Sequence, residues 1–130
     1  MARPASDQPT DGELEILKVL WETGPAELRR ICGTLRRQRP VATTTVATML
    51  QVMLGKGLVK RSRGERQYVW SAARSEKATT RRMLRKFIDQ VFDGSAELLM
   101  VHLLEDSRLS ERDRDEIRRM FESRRRGDTH

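Results

Sequence analysis

Chemically reactive side chains are scarce in this chain. It has one cysteine, Cys32, and two histidines, His102 and His130. A single thiol cannot close an internal disulfide or anchor a cysteine-rich zinc site. Two histidines, one of them terminal, leave little to build metal catalysis on, so no metal and no cofactor are expected. Aromatic residues make up only 5% of the sequence. No apolar run approaches the length needed to cross a bilayer; the longest, Leu98–Leu104, is interrupted by His102. The first residues, "MARPASDQPTDG", lack the apolar core of a signal peptide. A soluble cytoplasmic protein without membrane contact is the expectation. No histidine and carboxylate pair at helical spacing, no phosphate-binding glycine loop and no activated serine motif is found, so catalytic residues are expected to be none.

A further scarcity is local. Residues 28–66 carry ten basic side chains and one acid, Glu65. Residues 1–27 carry two basic and six acidic side chains, and residues 67–130 carry fourteen and twelve. The net charge of +7 therefore arises almost wholly in the middle third. An excess of this kind is the electrostatic footprint of a phosphate-backbone binder. In the last third the alternation of Asp and Glu with Arg, as in Asp115 with Arg119, reads as a solvated helical face.

Periodicity organises the chain. Residues 1–9 show no pattern and read as a disordered arm. Thr10 followed by Glu13 is a capping-box signature. Leu14, Leu17, Val19, Leu20 and Trp21 then mark a helix from about Asp11 to Glu22. Gly24 stops it, and Pro25 is expected to open a second helix. Leu28, Ile31, Cys32 and Leu35 lie at i, i+3, i+4, i+7, one buried face. Cys32 on that stripe reads as a small core hydrophobe. Arg29, Arg30, Arg36 and Arg37 fall off it and face solvent or a partner. After the loop "RQRPVA" a third helix spans Thr43 to Lys56, buried through Val46, Leu50, Met53 and Leu54, with Gly57 as its stop. "LVKR" and "QYVWS" alternate as strands around a turn at Ser62–Arg66.

Three helices followed by a hairpin are the layout of a winged helix-turn-helix, whose third helix enters the major groove. Four threonines crowd that helix, although threonine is a poor helix former. Turning Val46, Leu50 and Met53 to the core leaves Thr44, Ala47, Thr48 and Gln51 on the opposite face. A hydroxyl can bond a base edge or a phosphate, and a threonine methyl can pack on a thymine methyl. Thr43 can cap the helix start. The predicted DNA contacts are Thr43, Thr44, Thr45, Thr48, Gln51, Lys56, Arg61, Arg63 and Arg66, the three arginines on phosphate or in the minor groove. Tyr68 and Trp70 fit either a stacking platform for single strands or packing of the hairpin on the helices; the fold favours the second.

After Ser75 a long helix, "EKATTRRMLRKFIDQVF", carries a wide apolar stripe. "DGS" breaks it, "AELLMVHLL" is apolar nearly all round, and a last helix starts near Ser110 and Asp113, a cap pair. These helices are too few to enclose "LLMVHLL". Burial against a second copy is the simplest solution, and it would set two recognition helices about 34 Å apart on a palindromic operator. Folding back on the N-terminal domain is the competing arrangement. The predicted dimer contacts are Phe87, Val91, Phe92, Leu98, Leu99, Val101, Leu103, Leu104, Ile117 and Met120. His102 reads as packing rather than as a pH sensor. The expected domains are the arm at 1–9, a winged-helix domain at 10–73, a helical dimerisation domain at 74–126 and a frayed tail at 127–130.

"DGELEILKVLW", "TTVATML", "KGLVKR…YVW" and "FDGSAELLMVHLLED…LS", in this order and spacing, resemble the penicillinase-repressor family of bacterial transcription regulators (BlaI/MecI type). The likeness runs from Asp11 to Phe121. It implies a mainly α-helical homodimer with winged-helix heads and a C-terminal helical dimerisation domain, repressing target genes on double-stranded DNA. In the best-known members a sensor-protease pathway cleaves the dimerisation helix at an Asn-Phe pair, which makes a protease a further implied partner. The matching pair here is His102 and Leu103. Copper-responsive relatives carry a C-terminal cysteine motif, absent here, and Val52 stands where many relatives have arginine. Outside this resemblance, the residue pattern alone also fits an interaction module binding an acidic partner without DNA.

Overall fold

The computed structural model describes residues 7–106 and 108–127. Nine elements follow in order: α1 (Asp11–Thr23), β1 (Ala26–Glu27), α2 (Leu28–Leu35), α3 (Thr43–Lys56), β2 (Val59–Arg63), β3 (Tyr68–Ala72), α4 (Glu76–Val91), α5 (Ala96–Glu105) and α6 (Glu111–Gly127). Two compact units are formed, one up to Met83 and one from Leu84 onward. The division falls inside α4, later than the expected boundary at residues 73 and 74. The first turns of α4 belong to the first unit, where Thr79 is buried.

Each helix of the first unit starts and stops for a local reason. The Thr10 hydroxyl accepts from the Glu13 amide at 3.2 Å, and the Glu13 carboxylate accepts from the Thr10 amide at 2.9 Å, so two free donors of α1 are satisfied reciprocally. Gly24 ends α1 at φ 79°, and Gly57 ends α3 at φ 78°, ψ 18°, where a side chain would be strained. Pro25 does not open the second helix. Its fixed φ suits an extended path as well as a first helical turn, and Ala26 and Glu27 instead pair with Trp70 and Val69 as an edge strand. The sheet order is β1-β3-β2, all antiparallel. Thr43 does not cap α3 either: Ala42 is the cap residue, without a side-chain bond, and Thr43 is already helical.

The core is one cluster. Ile16, Leu17 and Leu20 of α1 meet Ile31, Cys32 and Leu35 of α2, Val46, Leu50 and Met53 of α3, and Leu58, Val59 and Trp70 of the hairpin. Cys32 sits among them as a buried free thiol. Trp21 donates its indole N–H to the Arg74 carbonyl at 3.0 Å, fixing the chain after β3 to α1. The stretch expected as a disordered arm is anchored from Asp7, which pairs with Arg82 at 2.8 Å; residues 1–6 lie outside the described residues. In the expected tail, Gly127 closes α6 and residues 128–130 lie outside the described residues.

Among the described residues the second unit contains no buried apolar side chain. α4 ends at Asp93 (φ 51°) and Gly94 (φ 84°). The Ser95 hydroxyl caps α5 through the Leu98 amide at 3.0 Å, and Ser110 caps α6 through the Asp113 amide at 3.0 Å. Phe92 packs edge-on against Phe87 with centroids 5.7 Å apart, and against His102 at 5.3 Å. Asp106 takes two bonds from the Arg108 guanidinium, at 3.3 and 3.1 Å. That hydrogen bonding, first among the causes, holds the Asp106 carboxyl below the usual carboxylate range. Its contribution to stability is therefore present at neutral pH and is lost as pH falls through the lowered value.

One buried polar contact ties the first unit together. Lys56, at the end of α3, places its ammonium 2.7 Å from the Glu13 carboxylate, and the two side chains are only 12% and 6% exposed. Removing one member of such a pair leaves an uncompensated buried charge. Glu13→Ala is expected to cost about 3–5 kcal/mol in urea unfolding. Replacing both members with apolar residues, Glu13→Leu with Lys56→Met, should recover most of the loss. A single variant as stable as the parent would show that the pair is solvated.

Candidate nucleic-acid interface

The setting of α3 decides which groups face outward. Val46, Leu50 and Met53 have 0% exposure. At 100° per residue this places Thr44, Thr48, Gln51 and Gly55 along one line on the far side, all exposed, with Thr45 and Val52 on its flank. Thr48 donates its hydroxyl to the Thr44 carbonyl at 2.9 Å. The oxygen keeps its acceptor lone pairs. Gln51 makes no hydrogen bond with the described residues through either end of its amide. Val52 is 49% exposed. The outward face thus presents hydroxyls, one free amide and aliphatic groups, and no charge.

The helix start is braced from α2. Arg36 donates through Nε to the Val41 carbonyl at 3.0 Å and through Nη2 to the Thr43 hydroxyl at 2.7 Å. Sequence spacing alone had placed Arg36 facing solvent or a partner; it fixes the turn between α2 and α3 instead. The first backbone N–H groups of α3 have no side-chain cap, so they stand open to an anion.

The hairpin pairs Arg61 with Trp70 and Arg63 with Tyr68 across its two strands. Those four residues alternate onto one face. Trp70 closes the core, and Tyr68 is 41% exposed beyond it. The Arg61 guanidinium carbon lies 4.1 Å from the Tyr68 ring centroid and 5.8 Å from that of Trp70, a cation–π contact that sets its direction. The rings meet edge-on with centroids 6.4 Å apart. Trp70 is therefore a packing residue, and Tyr68 is occupied by Arg61. At the tip, Gly64 donates to the Gln67 carbonyl at 2.8 Å. A Cβ on Gly64 would stand 2.6 Å from that same oxygen, so only glycine permits this turn, which displays Arg63 and Arg66 at the surface.

The positive region of residues 28–66 is partly neutralised. Lys56 turns inward to Glu13 and is not presented with the threonines, contrary to the expectation that it contacts DNA. Arg39 pairs with Glu15 at 2.7 Å; the hydrogen bond from Arg39 holds the Glu15 carboxyl below its usual range. Taking these two from the ten basic residues leaves eight: Arg29, Arg30, Arg36, Arg37, Lys60, Arg61, Arg63 and Arg66. Among the described residues none of the eight forms an ion pair. The described residues contain no group of His, Cys, Asp and Glu suited to hold a metal ion, and no helix long and apolar enough to cross a membrane.

In the second unit the predicted dimer residues divide in two. Phe87, Val91, Leu98, Val101, Leu103 and Met120 are exposed, and Leu84 and Phe121 join them. Phe92, Leu99, Leu104 and Ile117 are half-buried by their own chain. His102 and Leu103 are both exposed on α5.

A family description, penicillinase repressor, matches residues 9–123. The chain is 23% identical over 115 residues to the penicillinase repressor of Bacillus licheniformis, covering 88% of this chain and 90% of that protein. It is 20% identical over 112 residues to the methicillin resistance regulatory protein MecI of Mammaliicoccus sciuri, covering 86% and 91%. A solved structure of a Lactococcus lactis ZitR variant aligns at TM-score 0.46 and 19% identity, over 95% of this chain and 78% of that one. With the family match running from residue 9 through the hairpin and into α6, this chain belongs to the penicillinase repressor family.

Proposed function

We propose that the protein is a homodimeric transcriptional repressor that sets α3 in the major groove of a palindromic operator and lays the hairpin on the flanking backbone. The observation that carries this reading is the uncharged, hydrogen-bonding face of α3, opposite a fully buried stripe and flanked by arginines without acidic partners. A solvated helix face would carry mixed charges; this one carries threonines and glutamine. Thr44, Thr45 and Thr48 approach base edges. Thr43 with the open α3 N-terminus, and Arg61, Arg63 and Arg66 on the hairpin, take phosphates. Lys56 is left out of the contact set because Glu13 holds it.

The dimer rests on the second unit. Eight large apolar side chains stand exposed there, among them Phe87, Val91, Leu98 and Val101. They are 37–63% exposed, so covering what remains is worth about half of the roughly 1.5–3 kcal/mol that burying a whole such side chain contributes, summed over both protomers. That is the scale needed to offset the roughly 4–15 kcal/mol cost of association. The predicted contacts Phe92, Leu99, Leu104 and Ile117 support the exposed set from beneath, through packing within their own chain. Cleavage by a sensor-linked protease at His102 and Leu103 is a further proposal from the resemblance; exposure of both residues on α5 is compatible with it.

Electrophoretic shift and footprinting on the protein's own promoter test the reading. Replacing Arg63 and Arg66 with alanine removes up to four phosphate contacts per dimer. The slope of log affinity against log salt should then fall by roughly 3–4, with weakening across all DNA sequences. Thr48→Ala should change the ranking of operator variants while leaving the salt slope in place. An unchanged footprint in both variants would count against α3 and the hairpin as the contact surface. Shifts that unrelated DNA competes away as well as the promoter does would favour a module for an acidic protein partner. Leu98→Glu with Val101→Glu should yield monomers in sedimentation velocity and lower operator affinity by about 100-fold or more, as bivalent binding is lost.

A further inference from the structure

The outward face of α3 lacks every side chain that reads a G·C pair strongly. Guanine is recognised in the major groove by a bidentate Arg or Lys on O6 and N7, and cytosine by a carboxylate accepting from N4. α3 contains one charged residue, Lys56, and its ammonium is 2.7 Å from Glu13 inside the unit. What remains outward is Gln51, with both ends of its amide unengaged, and Val52, an aliphatic side chain 49% exposed beside it. A glutamine amide matches adenine, donating to N7 and accepting from the N6 amino group. An exposed branched aliphatic side chain matches the thymine 5-methyl group. The two residues are consecutive, with their side chains diverging by 100°, so each is free to meet a base pair of its own in the half-site.

We propose that Gln51 and Val52 join Thr48 as specificity-determining residues of α3, reading adenine and the thymine 5-methyl, so that each half-site carries A·T pairs beneath this helix. This rests on the operator-binding reading above. It adds which bases are chosen and by which side chains. Thr48 complements the pair: its hydroxyl proton is committed to Thr44, so it offers acceptor lone pairs and a methyl and does not compete for an acceptor such as N7.

Selection of duplexes from a randomised pool with the full chain, repeated with Gln51→Ala and Val52→Arg, tests this. Both side chains are exposed, so the variants should keep the parent's thermal unfolding. The parent should enrich A·T at two positions of each half-site. Gln51→Ala should flatten the preference at one of them, and Val52→Arg should bring guanine to the other. On the enriched site, 7-deazaadenine at the Gln51 position should weaken the parent about 5- to 100-fold and leave Gln51→Ala unaffected. Uracil for thymine should weaken the parent more than a Val52→Ala variant. Base profiles identical in parent and variants, or guanine already enriched where the variants act, would overturn the assignment while leaving operator binding intact. A pool with no enrichment at all would remove the operator reading and this assignment with it.

Discussion

The rotational setting of α3 governs what this molecule can present to a partner. Three side chains with no exposure, Val46, Leu50 and Met53, fix that setting from one side. The Lys56–Glu13 pair fixes the C-terminal end, and Arg36 fixes the N-terminal end through Val41 and Thr43. A turn of one residue position would rotate the outward line by 100°. Thr44, Thr48 and Gln51 would move off the exposed line, and the buried Val46, Leu50 and Met53 would move toward water. The same packing that stabilises the fold therefore selects the reading face. The buried ion pair adds little net stability against an apolar alternative. Its effect on composition is larger, since it removes the one cation of α3 from the surface.

In the proposed complex with DNA, affinity and selectivity are carried by different parts of the first unit. The cations without acidic partners lie on α2, in the turn after it and on the hairpin, where they would act on phosphate through a field that ignores sequence. The face that meets base edges carries none of that charge. The cation–π contact of Arg61 with Tyr68 belongs to the first system. It costs the guanidinium some freedom and fixes its approach, so that less entropy is lost when a phosphate is met. Gly64 does the same for the turn at the hairpin tip, where a Cβ would collide with the Gln67 carbonyl.

Much of this was legible in the residues because periodicity and capping are local. The apolar stripes of α1, α2 and α3, the capping box at Thr10 and Glu13, the stops at Gly24 and Gly57, the break at "DGS" and the cap at Ser110 all act within a few residues of themselves. β1 was not legible: two residues cannot show a period, and their pairing partner, Trp70, lies far along the chain. Lys56 was misplaced for a related reason. It follows the threonines in a basic stretch, and nothing local shows that an acid 43 positions away will claim it. Thr43 looked like a cap because residue type was weighed ahead of backbone geometry. The extended conformation falls at Ala42, and a first-turn threonine is free to serve Arg36 instead.

The second unit poses the opposite problem, since its helices were readable and its packing is incomplete within one chain. Phe92, Leu99, Leu104 and Ile117 reach only half-burial, and the large side chains around them stay in water. Helices of this length gain most of their stability from packing an apolar face, because propensity alone is marginal. α5 is short and apolar on most sides, so covering its exposed side chains would stabilise the helix itself as well as the contact. In the proposed dimer, folding and assembly are then coupled, and anything that weakens α5 also weakens association. If the protein binds through two heads as proposed, that coupling makes occupancy of DNA sensitive to a lesion in the second unit. The exposed His102–Leu103 segment lies within this helix. In the proposed dimer, a cut there would break α5 and detach Leu103, Met120 and Phe121 of the exposed set while leaving the first unit intact, so DNA would be released through weakened association rather than through damage to α3.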